Sequence, residues 1–254
     1  MIEAVRASPV VAPDETGWKV GGRVHWLWVF TGHAVTVYSI QPGRGFDEVA
    51  AILGKDFSGV LERDGWAPYR RFNQATHQTC TAHLLRRCRQ LLATAHGRAR
   101  EIPLAVRRLL RAGLDLRLQR DAGSLSVAAY ETAVADVERQ MDQLLAKETQ
   151  HPGNRRLPRH PRRERPALFT YLHHEGVQAT NWRAEQAIRP AVVNRKVWGG
   201  NRTPAGVETQ QVLASLLRTC QQQGRNPTAI TADLLRAPTP VVAPLHFPAL
   251  ASHA

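Results

Sequence analysis

Three carboxylates, Asp14, Asp64 and Glu185, are candidates for divalent-metal chemistry. Asp64, followed by Gly65, closes an apolar run from Phe57 to Arg63 that reads as a strand, an unusual place for a carboxylate serving solubility alone. Glu185 lies in Asn181-Trp182-Arg183-Ala184-Glu185-Gln186-Ala187-Ile188-Arg189-Pro190, where helical spacing puts Asn181, Glu185 and Arg189 on one face. Asp14 precedes the first hairpin. Hard oxygen ligands from separate elements can hold two divalent cations about 3.5–4 Å apart, which neutralises a phosphodiester and activates the attacking oxygen. Plainer readings exist. Most of the 21 acidic residues are solvated charges, and Glu185 with Arg189 could form an i, i+4 ion pair worth only a few tenths of a kcal/mol. Glu15 and Glu62 are rival ligands; Glu62 is two residues before Asp64, so on a strand both face the same way.

The elements that must position these groups follow from periodicity. Arg23 to Phe30 is almost continuously apolar, as in a strand covered on both faces. Gly21-Gly22 before it suits a tight hairpin. Val35 to Ile40 is the next strand, Phe46 to Leu53 a helix stopped at Gly54, and His77 to Cys80 a further short strand. From Leu84 to about Ala146 the pattern is helical, with Pro103 in a first turn and an apolar seam of Val127, Tyr130, Val134, Val137, Met141 and Leu144. His151 to Pro166 reads as a basic linker. Asn181 to about Val193 is a helix that Pro190 should kink or end. Thr203-Pro204 starts another, carrying Val207, Leu213, Leu216, Leu217 and Cys220 and closed by Gly224, and a short helix around Ile230 to Leu235 precedes a Pro-rich tail. Three antiparallel strands, a helix and another strand suggest a mixed sheet covered by helices.

The chain has 254 residues, 43% of them hydrophobic, enough to bury a core. Its formal net charge of +13 favours a polyanionic partner, nucleic acid above all. Only four lysines, Lys19, Lys55, Lys147 and Lys196, contribute, so an arginine-rich coding bias is the competing explanation. Between Leu84 and Arg120 ten arginines face Glu101 and Asp115, a local excess of 10 − 2 = 8 that could track a DNA backbone. Three cysteines, Cys80, Cys88 and Cys220, argue against a disulfide framework. No signal peptide or membrane span is visible, so a cytoplasmic location without membrane attachment is expected. His77, Cys80, His83 and Cys88 lack the paired spacing of a zinc site. Trp66, Trp182 and Trp198 are candidates to cover a site or stack on a base, with core packing as the default.

Seven segments in order carry a resemblance: Asp14-Glu15-Thr16-Gly17; His25-Trp26-Leu27-Trp28-Val29; Phe57 to Leu61 with Asp64-Gly65-Trp66; Cys80-Thr81-Ala82-His83-Leu84-Leu85-Arg86; Asn181 to Pro190; Arg195-Lys196; and Gly224-Arg225-Asn226-Pro227. Together, over residues 9 to 236, they resemble the catalytic region of the insertion-sequence-66 family of transposases. The resemblance implies a ribonuclease H-like α/β fold, a mixed sheet flanked by helices, with an all-helical insertion before the last catalytic helix. It divides the chain into a first part of the core (1–83), the helical insertion and basic linker (84–165), the remainder of the core with the Glu-bearing helix (166–236) and a flexible tail (237–254). It implies an Asp-Asp-Glu triad of Asp14, Asp64 and Glu185 holding two Mg²⁺ or Mn²⁺ ions, and DNA ends and target DNA as partners of a homo-oligomer. His83, Asn181, Arg189, Arg195 and Lys196 are the expected DNA contacts. The chain departs from the family at Trp182 (usually Asn), Gln186 (usually Arg) and Thr81 (usually Trp), and members carry a long DNA-recognising region ahead of the first Asp. A chain that binds DNA without cutting it, and a nuclease that cuts without joining, remain alternatives.

Overall fold

The computed structural model describes residues 1–146, 159–239 and 245. In chain order the elements are α1 (Ile2–Arg6), β1 (Val10–Val20), β2 (Arg23–Thr31), β3 (Thr36–Gln41), α2 (Phe46–Leu53), β4 (Val60–Arg63), β5 (Thr76–Thr79), α3 (Thr81–Thr94), α4 (Glu101–Asp121), α5 (Val127–Ala146), α6 (Arg159–Glu164), α7 (Thr170–His173), α8 (Trp182–Trp198), α9 (Pro204–Gln222) and α10 (Pro227–Arg236). The five strands form a mixed sheet in the order β3-β2-β1-β4-β5, so the chain is an α/β protein. Among the described residues no helix is long and apolar enough to cross a membrane.

The chain divides into two compact units: residues 1–61, 66–75 and 182–254, and residues 62–65 and 76–181. The chain therefore passes from one unit to the other at 62, 66, 76 and 182. Residues 147–158, which include the first half of the basic linker, and nearly all of the expected tail lie outside the described residues.

The first unit is built on a long hairpin. β1 and β2 pair antiparallel from Ala12↔Thr31 to Val20↔Arg23, turning on Gly21 and Gly22 at φ 54° and 80°, the left-handed region that favours glycine. The expectation that Asp14 precedes the hairpin is corrected: Asp14 lies inside β1, opposite Val29. β4 pairs parallel with β1 at Val10↔Val60 and Val11↔Leu61. Alternation along β2 supplies two cores, which is why that strand reads as unbroken apolar sequence. Trp28 and Phe30 join Val37, Phe46, Val49, Leu53 and Tyr69 on one face, while Leu27 and Val29 join Ala12, Trp18, Tyr38, Ile40, Ala184, Ala187 and Ile188 on the other. The second cluster is where α8 packs on β1 and β2.

Two helices differ from expectation. α8 runs through Pro190 to Trp198, five residues past the expected end near Val193. Pro190 and Gln186 are both exposed, so water can satisfy the Gln186 carbonyl that proline leaves without a donor. α9 turns a polar stripe inward: Ser215 and Thr219 are buried, while Leu213 and Leu217 are 41% and 39% exposed. The polar stripe serves the free edge of β3. Thr219 Oγ1, Ser215 Oγ and Gln211 Oε1 accept the backbone N–H groups of Thr36, Tyr38 and Ile40 at 3.1, 2.8 and 2.5 Å. Four helical residues rise about 6 Å and two strand residues about 6.6–6.8 Å, so the two repeats stay in step over three rungs.

The second unit is mainly helical. Ile102, Val106, Leu109 and Leu110 of α4 and Tyr130, Val134, Val137, Met141 and Leu145 of α5 are buried, and α4 packs on both α3 and α5. Leu145, rather than Leu144, ends the seam, and Val127 is exposed. Gly113 permits a close approach: a Cβ there would meet Tyr171 Oη at 2.5 Å. A buried ion pair, Arg63 with Glu164, joins β4 to α6.

Candidate active site

Alternation along β1 decides where its carboxylates go. Ala12 and Trp18 belong to the cluster under α8, so Asp14 and Thr16 lie on that face. α8 carries Glu185 beside buried Ala184 and Ile188 of the same cluster. Asp14 and Glu185, both half-buried, thus occupy facing elements of the first unit. Arg195 ties those elements together, donating from Nη1 to Thr16 Oγ1 at 2.8 Å and to the Gly17 carbonyl at 2.7 Å. Its guanidinium, expected to meet DNA, is engaged with β1; Arg189 and Lys196 of the same helix are exposed.

Glu15 points the other way. Its side chain is 3% exposed, and Arg44 donates Nη2 to Oε1 at 2.6 Å while Tyr69 Oη donates to Oε2 at 2.8 Å. Arg44 is stacked in turn on the rings of Trp26 and Trp66, 4.5 and 4.0 Å from their centroids. That aromatic clamp gives Trp66 a structural place, and both Glu15 oxygens are held by cationic or hydroxyl donors on the face opposite Asp14. The Asp14 carboxylate also accepts the Glu15 N–H at 2.9 Å, which fixes its own orientation. Arg44 was not distinguished in the sequence; Pro42-Gly43-Arg44-Gly45 signals only a loop.

Asp64, His83 and Asn181 belong to the second unit. Asp64 is half-buried immediately after β4. Glu62, the other rival, is 1% exposed and its Oε1 accepts the Gln178 N–H at 2.5 Å. His83 sits in the first turn of α3. Asn181 falls one residue before α8 and is buried, its N–H donating to Cys80 Sγ at 3.3 Å. Among the described residues, His77 and Cys88 join no cluster of ligating side chains with Cys80 and His83; His77 Nδ1 accepts from Arg63 Nε at 3.1 Å instead. The donor chemistry of Asp14 and Glu185, half-buried carboxylate oxygens, fits a hard divalent cation.

Comparison with known proteins gives the family. The model of the IS66 family of transposases matches residues 1–209, so the chain belongs to the IS66 transposase family. It is also 27% identical over 227 residues to an uncharacterized protein, y4qI, of Sinorhizobium fredii, an overlap covering 80% of this chain and 41% of that protein. The chain therefore spans less than half the length of that relative. No solved structure matches it.

Proposed function

We propose that this chain is the catalytic domain of a DNA transposase with a ribonuclease H-like core, and that Asp14, Asp64 and Glu185 form its Asp-Asp-Glu triad. The observation that supports this best is the face shared within the first unit: β1 turns Asp14 toward the helix that bears Glu185, while it turns Glu15 away to Arg44 and Tyr69. Asp64 enters through the chain itself. It lies four residues past Val60, as Asp14 lies four past Val10, and those two valines are partners in the parallel pairing of β1 and β4.

Two Mg²⁺ or Mn²⁺ ions, when bound, would activate the attacking oxygen and stabilise the leaving one. The residues would divide the remaining work. Asp14 and Asp64 supply oxygen donors at a sheet, where the backbone holds them stiffly. Glu185 completes the donor set from a helix braced on that sheet by Arg195. Exposed Arg189 and Lys196 are suited to DNA phosphates, and His83 and Asn181 are proposed as further contacts. Water attack would free an element end, and the resulting 3′-hydroxyl would then attack target DNA, with the assembly acting as a homo-oligomer.

The test is strand cleavage and joining with Mg²⁺. Glu185→Gln keeps the shape and removes the charge, and is expected to lower both steps by at least about 100-fold, as loss of a metal ligand or its supporting partner does. Undiminished activity would sink the triad. Cleavage without joined products would favour a nuclease.

A further inference from the structure

Tyr38 of β3 is held at both ends. Its ring is buried in the cluster formed with α8, 6% exposed. Its backbone N–H donates to Ser215 Oγ at 2.8 Å, and its phenol donates to the Ala187 carbonyl at 2.5 Å. Ala187 is two residues beyond Glu185. Pro190 lies three residues further on and has no N–H, so the Gln186 carbonyl next to Ala187 lacks its usual i+4 donor. The turn of α8 that follows Glu185 thus lacks one rung of its own ladder, and the Tyr38 hydroxyl grips the inner side of that turn beside the gap. Burial raises the phenol to about 12 against the opposing pull of Arg218, so it stays a donor wherever carboxylates are ionised.

We propose that Tyr38 is a positioning residue for Glu185: by bonding the Ala187 carbonyl it fixes the proline-weakened turn of α8, and with it the direction in which the Glu185 carboxylate meets a divalent cation. This inference rests on the metal-binding reading of Glu185. Ser215 belongs to the same relay, since it holds the Tyr38 backbone in place on the strand. The lever is short. A rotation of one helical turn by a few degrees displaces a carboxylate at the end of a glutamate side chain far more than it displaces the helix axis.

The test measures Mn²⁺ affinity of the full chain by electron paramagnetic resonance of free Mn²⁺, alongside thermal unfolding. Glu185→Gln is the reference and is expected to weaken binding strongly. Tyr38→Phe deletes one oxygen and is expected to weaken Mn²⁺ about tenfold, at the lower end of what lost outer partners of metal ligands cost, while the chain still unfolds cooperatively. Adding Pro190→Ala restores an N–H at position 190, completes the ladder, and is expected to bring the affinity back to within about twofold of the unaltered chain. If Glu185→Gln weakens binding and Tyr38→Phe does not, the tether is refuted and the triad stands. If Tyr38→Phe fails to fold, or its loss is not relieved by Pro190→Ala, Tyr38 is a core residue only and the proposal falls. If the unaltered chain and Glu185→Gln bind Mn²⁺ alike, the metal reading itself fails.

Discussion

Arg63 Nη1 lies 2.7 Å from Glu164 Oε2, with both side chains almost entirely out of solvent, at 3% and 0% exposure. Thr79 Oγ1 donates to the same carboxylate oxygen at 2.8 Å, and Arg63 also donates to the Asp64 carbonyl at 3.0 Å. The pair thus fixes the backbone at Asp64 from inside the second unit. Removing one partner leaves the other charge buried. Glu164→Ala is expected to destabilise the chain by about 3–5 kcal/mol, and Arg63→Met with Glu164→Leu together by much less, because no charge is then stranded. Denaturant unfolding of the single and double variants decides it; equal losses would show that the volume, and not the charge, matters.

The edge of β3 offers a second measurement. Ser215→Ala removes the acceptor for the Tyr38 N–H and Thr219→Val removes that for Thr36, each leaving a buried backbone donor unpaired. A cost of about 1–3 kcal/mol apiece is expected, read from the shift in denaturation midpoint at unchanged slope. Because α9 shields a strand edge, the double variant is also expected to aggregate on partial unfolding, which light scattering would detect.

How far these features could be read in advance depends on which force dominated locally. β2 was legible because both its faces are buried, so hydrophobicity alone marks it. β1 was not legible as one strand from Val10 to Val20: Pro13, Asp14 and Gly17 all oppose strand propensity, and nine paired positions with β2 override them. α8 was expected to kink or end at Pro190 because periodicity does not reveal that Gln186 and Pro190 face water. The inward polar stripe of α9 was missed for the opposite reason. Gln211, Ser215 and Thr219 recur every four residues, but a hydrophobic pattern search treats polar residues as surface. Asp64 and Glu185 stood out from their neighbours, whereas Asp14 needed the family resemblance, and the Glu15–Arg44 clamp that separates Glu15 from it joins residues 29 apart in sequence.

Cys88 provides a pH-dependent check on the second unit. The thiol is fully buried, and burial raises it to about 11 although Arg107 and Arg87 pull it down. Its folded pKa lies above the unfolded value near 9, so its contribution to stability is complete below pH 9 and is lost as pH rises toward 11. Native protein at pH 8 is expected to leave Cys88 unlabelled by iodoacetamide over hours, with full labelling in denaturant, as peptide mass spectrometry would show. Rapid native labelling would mean that the α3–α4 seam opens.

The arginines of that seam divide by what they touch. Arg117 donates to the Tyr171 and Val177 carbonyls, Arg120 to the Leu172 carbonyl, and Arg100 to the Leu92 and Ala95 carbonyls, so these three are tied to the protein's own backbone. Arg108 and Arg111 are exposed on the outer face of α4, with Arg107 half-buried beside them. If that face follows a DNA backbone, each contact contributes about 0.9 to the log–log salt slope of binding, and changing all three to Gln lowers the slope by about 2.7. Removing the same charge at exposed Arg23, Arg225 and Arg236 controls for net charge and is expected to alter the slope by less than one contact's share. Binding of a random-sequence duplex measured between 50 and 200 mM salt separates the two, in the range where such contacts dominate. Equal slopes for the two triple variants would reduce the arginine excess of residues 84–120 to a compositional feature, and the DNA-binding surface would have to be sought elsewhere, beginning with Arg189 and Lys196 on α8.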